Sequence, residues 1–216
     1  MPQISSNLLR LRAEIPEGVR LVAVSKFHPV EAVREAYAAG QRIFGESRVD
    51  EVVAKAAAMP PDCIWHFIGH VQTNKLRRLI PVVHVIESVD SERLLRLISA
   101  EAARIGRTVD VLLQVHVAAE ETKTGFLPDD LIECARVCES LPNVRVRGVM
   151  GMATNTDSLD RIAADFEAIA ECGARLRRVI PDATELSMGM SGDWPIAVAH
   201  GATLVRIGTD IFGSRS

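Results

Sequence analysis

Aromatic side chains are scarce in this chain: six Phe, two Trp and one Tyr, 4% of 216 residues. With no basic run and a formal net charge of −3, the stacking and electrostatic grounds for a nucleic-acid partner are missing. Long apolar runs are missing too. No stretch approaches the roughly 18–20 apolar residues of a membrane span, and residues 1–18 lack the apolar centre of a secretory signal. The four cysteines, Cys63, Cys134, Cys138 and Cys172, form neither CxxC pairs nor zinc-ligand spacings. Cys134 and Cys138, one helical turn apart, read as small buried or half-buried side chains. There is no linker, low-complexity tract or repeat. These absences predict a reduced, cytoplasmic protein, with no membrane, metal or nucleic-acid partner, folded as a single domain over residues 1–216.

What the chain does have is alternation. Short β-branched runs near 21–25, 42–44, 64–68, 82–86, 109–117, 144–150, 184–187 and 203–206 are separated by segments of helical period near 30–39, 46–58, 71–79, 91–104, 128–139, 158–177 and 193–200. In the segment 91–104, Leu94, Leu95, Leu97, Ile98 and Ala102 share one face while Glu92, Arg93, Arg96 and Glu101 face water. Strands separated by helices pair in parallel through right-handed crossovers. A doubly wound open sheet and a closed barrel both satisfy that. Eight strands favour an α/β fold of the (β/α)8 TIM-type barrel, with lean loops, since roughly 250 residues is typical. Too few residues follow the last strand for a closing helix of normal length, and the amphipathic segment 4–14 is placed to fill that gap.

In such barrels chemistry sits at the C-terminal ends of the strands. Lys26 directly follows the apolar run Leu21-Val22-Ala23-Val24. A lysine desolvated at a barrel mouth has a lowered pKa and offers a neutral amine as nucleophile; the plainer reading is a solvated lysine capping a strand. Ser187-Met188-Gly189-Met190-Ser191-Gly192-Asp193 and Arg206-Ile207-Gly208-Thr209 follow the last two strands, the recurrent phosphate site of this fold. Their glycines expose backbone N–H groups and Ser191 and Thr209 add hydroxyls, though each loop alone also reads as a tight turn. His66 and His70 are four apart, but the intervening Phe67-Ile68-Gly69 reads as strand then loop, which argues against a metal pair. His28, His84, His116 and His200 read as structural or exposed. Glu120-Glu121 with Lys123 reads as a solvated loop, and Trp65 as core or rim packing.

The motifs Ala23-Val24-Ser25-Lys26, Phe44-Gly45-Glu46, Trp65-His66-Phe67-Ile68-Gly69, Gln72-Thr73-Asn74-Lys75, Lys123-Thr124-Gly125, Arg147-Gly148-Val149-Met150, Leu186-Ser187-Met188-Gly189-Met190-Ser191 and VRIGTDIFG at 205–213 together resemble the pyridoxal phosphate homeostasis protein family, in family order over nearly the whole chain. The resemblance implies a fold-type-III barrel for pyridoxal 5′-phosphate (PLP), similar to the N-terminal domain of alanine racemase. It places PLP as a Schiff base on Lys26, its phosphate on Ser191, Gly208 and Thr209, and Arg206 facing the pyridine nitrogen, which a guanidinium keeps unprotonated. Ser47 and Met152 fall on further cofactor contacts. Departures ring the open face: Ser47 replaces the usual Asn, Phe27 the usual Thr, His70 the usual Pro, and Met150-Gly151-Met152-Ala153 carries no proline.

The function so implied is PLP binding for intracellular homeostasis with little or no turnover, as a monomer whose recipients are apo PLP-dependent enzymes. The alternative is a racemase-like PLP enzyme. Racemisation needs a base on each face of the bound amino acid; in alanine racemases the second is a tyrosine on the opposite face, supplied by a C-terminal β domain of the partner subunit. The single tyrosine here, Tyr37, is expected to pack on the first helix after strand one, and no such domain is expected after residue 216.

Overall fold

The computed structural model describes residues 3–120, 124–138 and 140–213. Strands β1 (Arg20–Val24), β2 (Ile43–Glu46), β3 (Ile64–Phe67), β4 (Val85–Val89), β5 (Val109–Gln114), β6 (Val144–Met150), β7 (Glu185–Ser187) and β8 (Leu204–Ile207) pair in parallel and in chain order, and β8 closes on β1. The (β/α)8 barrel is therefore the fold, and the open sheet is excluded. Outside it lie α1 (Gln3–Glu14), α2 (Val30–Ala38), α3 (Val49–Ala58), α4 (Leu76–Leu79), α5 (Glu92–Arg104), α6 (Asp130–Cys138), α7 (Leu159–Arg177), α8 (Trp194–Ala199) and α9 (Thr209–Phe212). Helix α1 packs between α2 and the one-turn α9, and Asn7 Nδ2 donates to the Ile211 carbonyl at 3.0 Å. The amphipathic N-terminal segment thus fills the gap in the helical ring, as its pattern suggests.

Side-chain parity divides the barrel into two cores. Leu21 and Ala23 face outward with Phe44, Phe67, Ile86, Leu113 and Val205, under the apolar stripes of the helices. Each such Phe or Leu contributes about 1.5–3 kcal/mol by burial. Val22 faces inward and packs on Leu112, Met150 and Leu204, joined by Ile43, Val85 and Met152. That inner cluster is the barrel floor.

Several boundaries differ from the sequence expectation. Strand β4 runs Val85–Val89 instead of 82–86, because Glu87 and Ser88, which read as the end of a strand, are both buried within it. Strand β2 continues through Gly45 and Glu46. Strand β5 stops at Gln114, after which Val115 makes an isolated bridge to Phe126. The stretch 71–79 is a 3-10 turn at Thr73–Lys75 followed by the single turn of α4.

Strand β6 carries a bulge. Val144, Val146 and Val149 all face the helices while Met150 faces the lumen, so the alternation must reset in between. Pairing with β5 slips there, from Val111 opposite Val146 to Leu112 opposite Gly148, leaving Arg147 as the extra residue. Gly148 has φ 155°, and any Cβ on it would overlap the Glu185 carbonyl of β7.

Candidate cofactor pocket

Parity along β1 sends Val22 and Val24 inward and places Lys26 over the lumen. The turn that carries Lys26 is braced from below. Ser25 Oγ donates to Glu46 Oε1 at 2.6 Å, and the buried Lys55 Nζ donates to the same oxygen at 2.7 Å and to the Ser25 carbonyl at 2.8 Å. Glu51 Oε2 accepts the Phe27 N–H at 2.8 Å, which fixes Phe27 at φ 68°, the one left-handed non-glycine backbone among the described residues. Burial pushes the Glu46 carboxyl above the usual carboxylate range, against the opposing pull of Lys55 and Ser25.

On the far side, two loops meet. Gly189, at φ 90°, is pressed against Trp194 and Ala197, leaving no room for a Cβ. Met190 N donates to Asp193 Oδ1 at 2.6 Å, and Met190 O accepts from the N–H groups of Asp193 and Trp194. That closed turn presents Ser191 and Gly192 at its tip. Arg206 N donates to the Gly189 carbonyl at 2.9 Å, tying the loop after β7 to β8, while Gly208 lies against Val24 of β1.

These elements enclose one hollow of about 260 Å³ at the C-terminal ends of the strands, near the lower limit of roughly 300 Å³ for small-molecule sites. Lys26, Met152, Ser191, Arg206, Gly208 and Thr209 all line it, with Val24, His28, Ile68, Met150, Met190, Gly192 and Gly213. Ser47 does not. It lines the adjacent hollow with Arg48, His70, Gln72 and Lys75. Glu121 and Lys123 lie outside the described residues, and Glu120 Oε1 accepts from Asn155 N at 2.8 Å.

Arg206, 5% exposed, is held as a fork. Nη1 donates to Ser187 Oγ at 2.7 Å and Nη2 to the Gly151 carbonyl at 2.9 Å. Ser187 Oγ donates in turn to Glu87 Oε2, whose other carboxylate oxygen pairs with His66 Nδ1. Burial lowers the Arg206 pKa from its ordinary value, with Glu87 and Asp193 opposing. Burial alone would raise Glu87; the hydrogen bond and charge of His66, the charge of Arg206 and the Ser187 hydroxyl outweigh it and hold the carboxylate below its usual range.

The chemistry available is recognisable. Two hydroxyls and glycine-rich backbone on one wall suit a phosphate dianion. Val24, Ile68, Met150 and Met152 suit the faces of a flat ring, and an amine stands at the mouth. Among the described residues, no group of His, Cys, Asp and Glu is arranged to hold a metal ion. A second hollow, of about 360 Å³, lies at the opposite end of the barrel, with Arg12, Arg20 and Arg42 on its wall; Arg20 is paired with Glu185 and Arg42 with Asp62.

Comparison with known proteins agrees with this geometry. The family model for the alanine racemase N-terminal domain matches residues 1–216. The pyridoxal phosphate homeostasis protein of Schizosaccharomyces pombe is 36% identical, covering 100% of this chain and 94% of its own length; that of Vibrio alginolyticus is 38% identical over 100% of this chain and 99% of its own length. This chain belongs to the pyridoxal phosphate homeostasis protein family. A structure of PipY from Synechococcus elongatus with PLP bound superposes with a TM-score of 0.90 at 42% identity, covering 98% of this chain and 100% of that one. Alanine racemase from Streptomyces lavendulae shares the barrel, with a TM-score of 0.81 at 21% identity, over 99% of this chain and 58% of that one.

Family membership directs attention to the motif residues, but the pocket depends on others that sequence reasoning passed over. His28 lines the wall and stacks on Phe212 at 5.0 Å between ring centroids. His66 is a buried partner of Glu87, whereas the His70 ring is exposed at the rim beside Asp90. A carboxylate flanked by Val85 and Val89 at strand spacing was the one available signal for Glu87. Nothing in the sequence pattern marks Lys55, a buried lysine on an otherwise ordinary helix.

Proposed function

We propose that residues 1–216 form one PLP-binding unit that holds the cofactor on Lys26 and releases it to apo PLP-dependent enzymes in the cytoplasm, as a monomer and without appreciable turnover. The observation that carries this reading is convergence: a lysine from β1, an arginine from β8 and the hydroxyl–glycine loops after β7 and β8 line one hollow. The homeostasis names of the relatives and the PLP-bound PipY structure support it. Ser191, Gly208 and Thr209 would hold the phosphate, Arg206 the ring nitrogen, and Met152 a ring face. Ser47, in the neighbouring hollow, would contribute only from the rim. PLP supplies an aldehyde that an amine can capture and a ring that can accept electron density.

A racemase reading needs a second base opposite Lys26. Tyr37, the single tyrosine of the sequence, sits on α2 with its hydroxyl donated to Asp62 at 2.7 Å, and it does not line the pocket. Among the described residues, no helix is long and apolar enough to cross a membrane.

The test has two arms. The purified protein is loaded with PLP and mixed with an apo PLP-dependent enzyme, whose recovered activity reports transfer. In parallel it is incubated with L-amino acids and assayed for D-isomer, CO2 and keto acid. Transfer with negligible product is expected; turnover near 1 per second or faster would overturn the reading. Phosphate recognition is tested separately. Ser191→Ala and Thr209→Ala should each weaken PLP binding by about 1–3 kcal/mol, the cost of losing a hydrogen bond to a charged group, and leave pyridoxal binding nearly unchanged. Equal losses for both ligands would assign these residues to the fold alone.

A further inference from the structure

Directly beneath the pocket the lumen carries charge, where barrels of this kind are ordinarily filled by branched apolar side chains. Glu87 is fully buried, and Ser187, His66 and Arg206 are each at most 5% exposed. The four come from β4, β7, β3 and β8 and converge on one carboxylate. Arg206 Nη1 stands 3.8 Å from Glu87 Oε2, with the Ser187 hydroxyl bridging the two. Such a layer is expensive. Well-packed apolar residues in its place are often as stable or more so, because each buried ion loses several kcal/mol of hydration. Stability therefore does not account for it. Only Arg206, of the four, also lines the pocket.

We propose that Glu87 is the positioning residue for Arg206. Its charge compensates the desolvated guanidinium, and through Ser187 it sets the direction of the fork, so that the pocket presents a fixed cation to the ring nitrogen of PLP. His66 holds the opposite carboxylate oxygen and stops the carboxylate from rotating. The Gly151 carbonyl takes the second guanidinium nitrogen and completes the orientation. Glu87 does not line the pocket and Arg206 does, so the effect of its removal on PLP passes through Arg206. This proposal rests on the PLP reading above.

A double-mutant cycle isolates that route. Wild type, Glu87→Gln, Arg206→Met and the double variant are titrated with PLP and with pyridoxal by visible absorption. The 15N chemical shift of the ring nitrogen is read with 15N-labelled PLP. Glu87→Gln should weaken both ligands about tenfold and move the ring-nitrogen shift, because an unanchored guanidinium no longer meets that atom in one geometry. In the Arg206→Met background the same change should alter affinity by less than about twofold and leave the shift where it was. An equal loss in both backgrounds would make Glu87 a packing residue, and an unchanged affinity and shift in Glu87→Gln would leave it without a role at the ring; either result overturns the proposal. Should Glu87→Gln fail to fold, Ser187→Ala takes its place in the cycle, since it cuts the bridge and keeps both charges. A wild-type protein that binds no PLP at all would overturn the proposed function, and this proposal with it.

Discussion

Lys26→Ala is expected to lose the PLP label that borohydride fixes on the wild-type protein, and to retain PLP at least about tenfold more weakly, the equivalent of roughly 1.4 kcal/mol. The sequence has four lysines, Lys26, Lys55, Lys75 and Lys123. Lys55 is buried and ion-paired with Glu46, and Lys75 is paired with Asp50. Lys123 lies outside the described residues. Lys26 alone among the described lysines lines the pocket, on the inward parity of β1 and on a turn braced by Ser25, Glu46, Lys55 and Glu51. A residual, reducible-label-free affinity should remain, because the phosphate loops and Arg206 are untouched. Peptide mapping after borohydride checks the assignment. A label found on Lys123 or Lys75, or a label that survives Lys26→Ala, would refute it.

Gly148→Ala should be the most damaging single-methyl change in the barrel, costing about 4 kcal/mol or more. Two effects add. An alanine is forced into a sparsely populated backbone region, worth about 1–3 kcal/mol, and its methyl group collides with the backbone of β7 rather than with a side chain that can turn away. Relief requires β6 and β7 to part or the bulge at Arg147 to collapse. Collapse would turn Met150 and the following Met152 away from the lumen, so the floor and the pocket wall would fail together. At about 2–4 °C per kcal/mol for a chain of this size, thermal unfolding should begin roughly 10 °C lower, with weakened PLP binding. A melting temperature within about 3 °C of wild type would show that the bulge is not required.

The barrel is legible in the sequence because short β-branched runs alternate with amphipathic helical segments, so period and count together leave few topologies. That Lys26, Ser191, Gly208 and Thr209 line one hollow is legible for a related reason: each follows a strand at an end where this fold places its ligands, and Arg206 sits in the last such strand, β8. What stayed hidden is what parity and long-range contact decide. Strand β4 begins three residues later than the apolar run at 82–86 suggests, because Glu87 and Ser88 resemble a strand terminus unless the lumen above the floor is polar. The bulge in β6 resets inward and outward at one residue, and a run such as Val144-Arg145-Val146-Arg147-Gly148-Val149-Met150 does not announce where. The motif at Ser47 suggests a cofactor contact, yet the chain after β2 places it in the hollow shared with His70 and Lys75.

The floor packed by Val22, Leu112, Met150 and Leu204 has a consequence for traffic. A barrel sealed below is a blind alley, so whatever occupies it arrives and departs through the same doorway. A newcomer cannot push from behind, and two visitors cannot pass. Replacement is then a queue, in which the outgoing molecule must clear the threshold before the next one enters. Side chains along the chamber wall, such as the half-exposed Met190 and His28 in its stack on Phe212, are met on the way in and on the way out. Changing them should alter how fast the chamber fills and empties and, since Met190 and His28 both line it, how firmly it keeps what it holds.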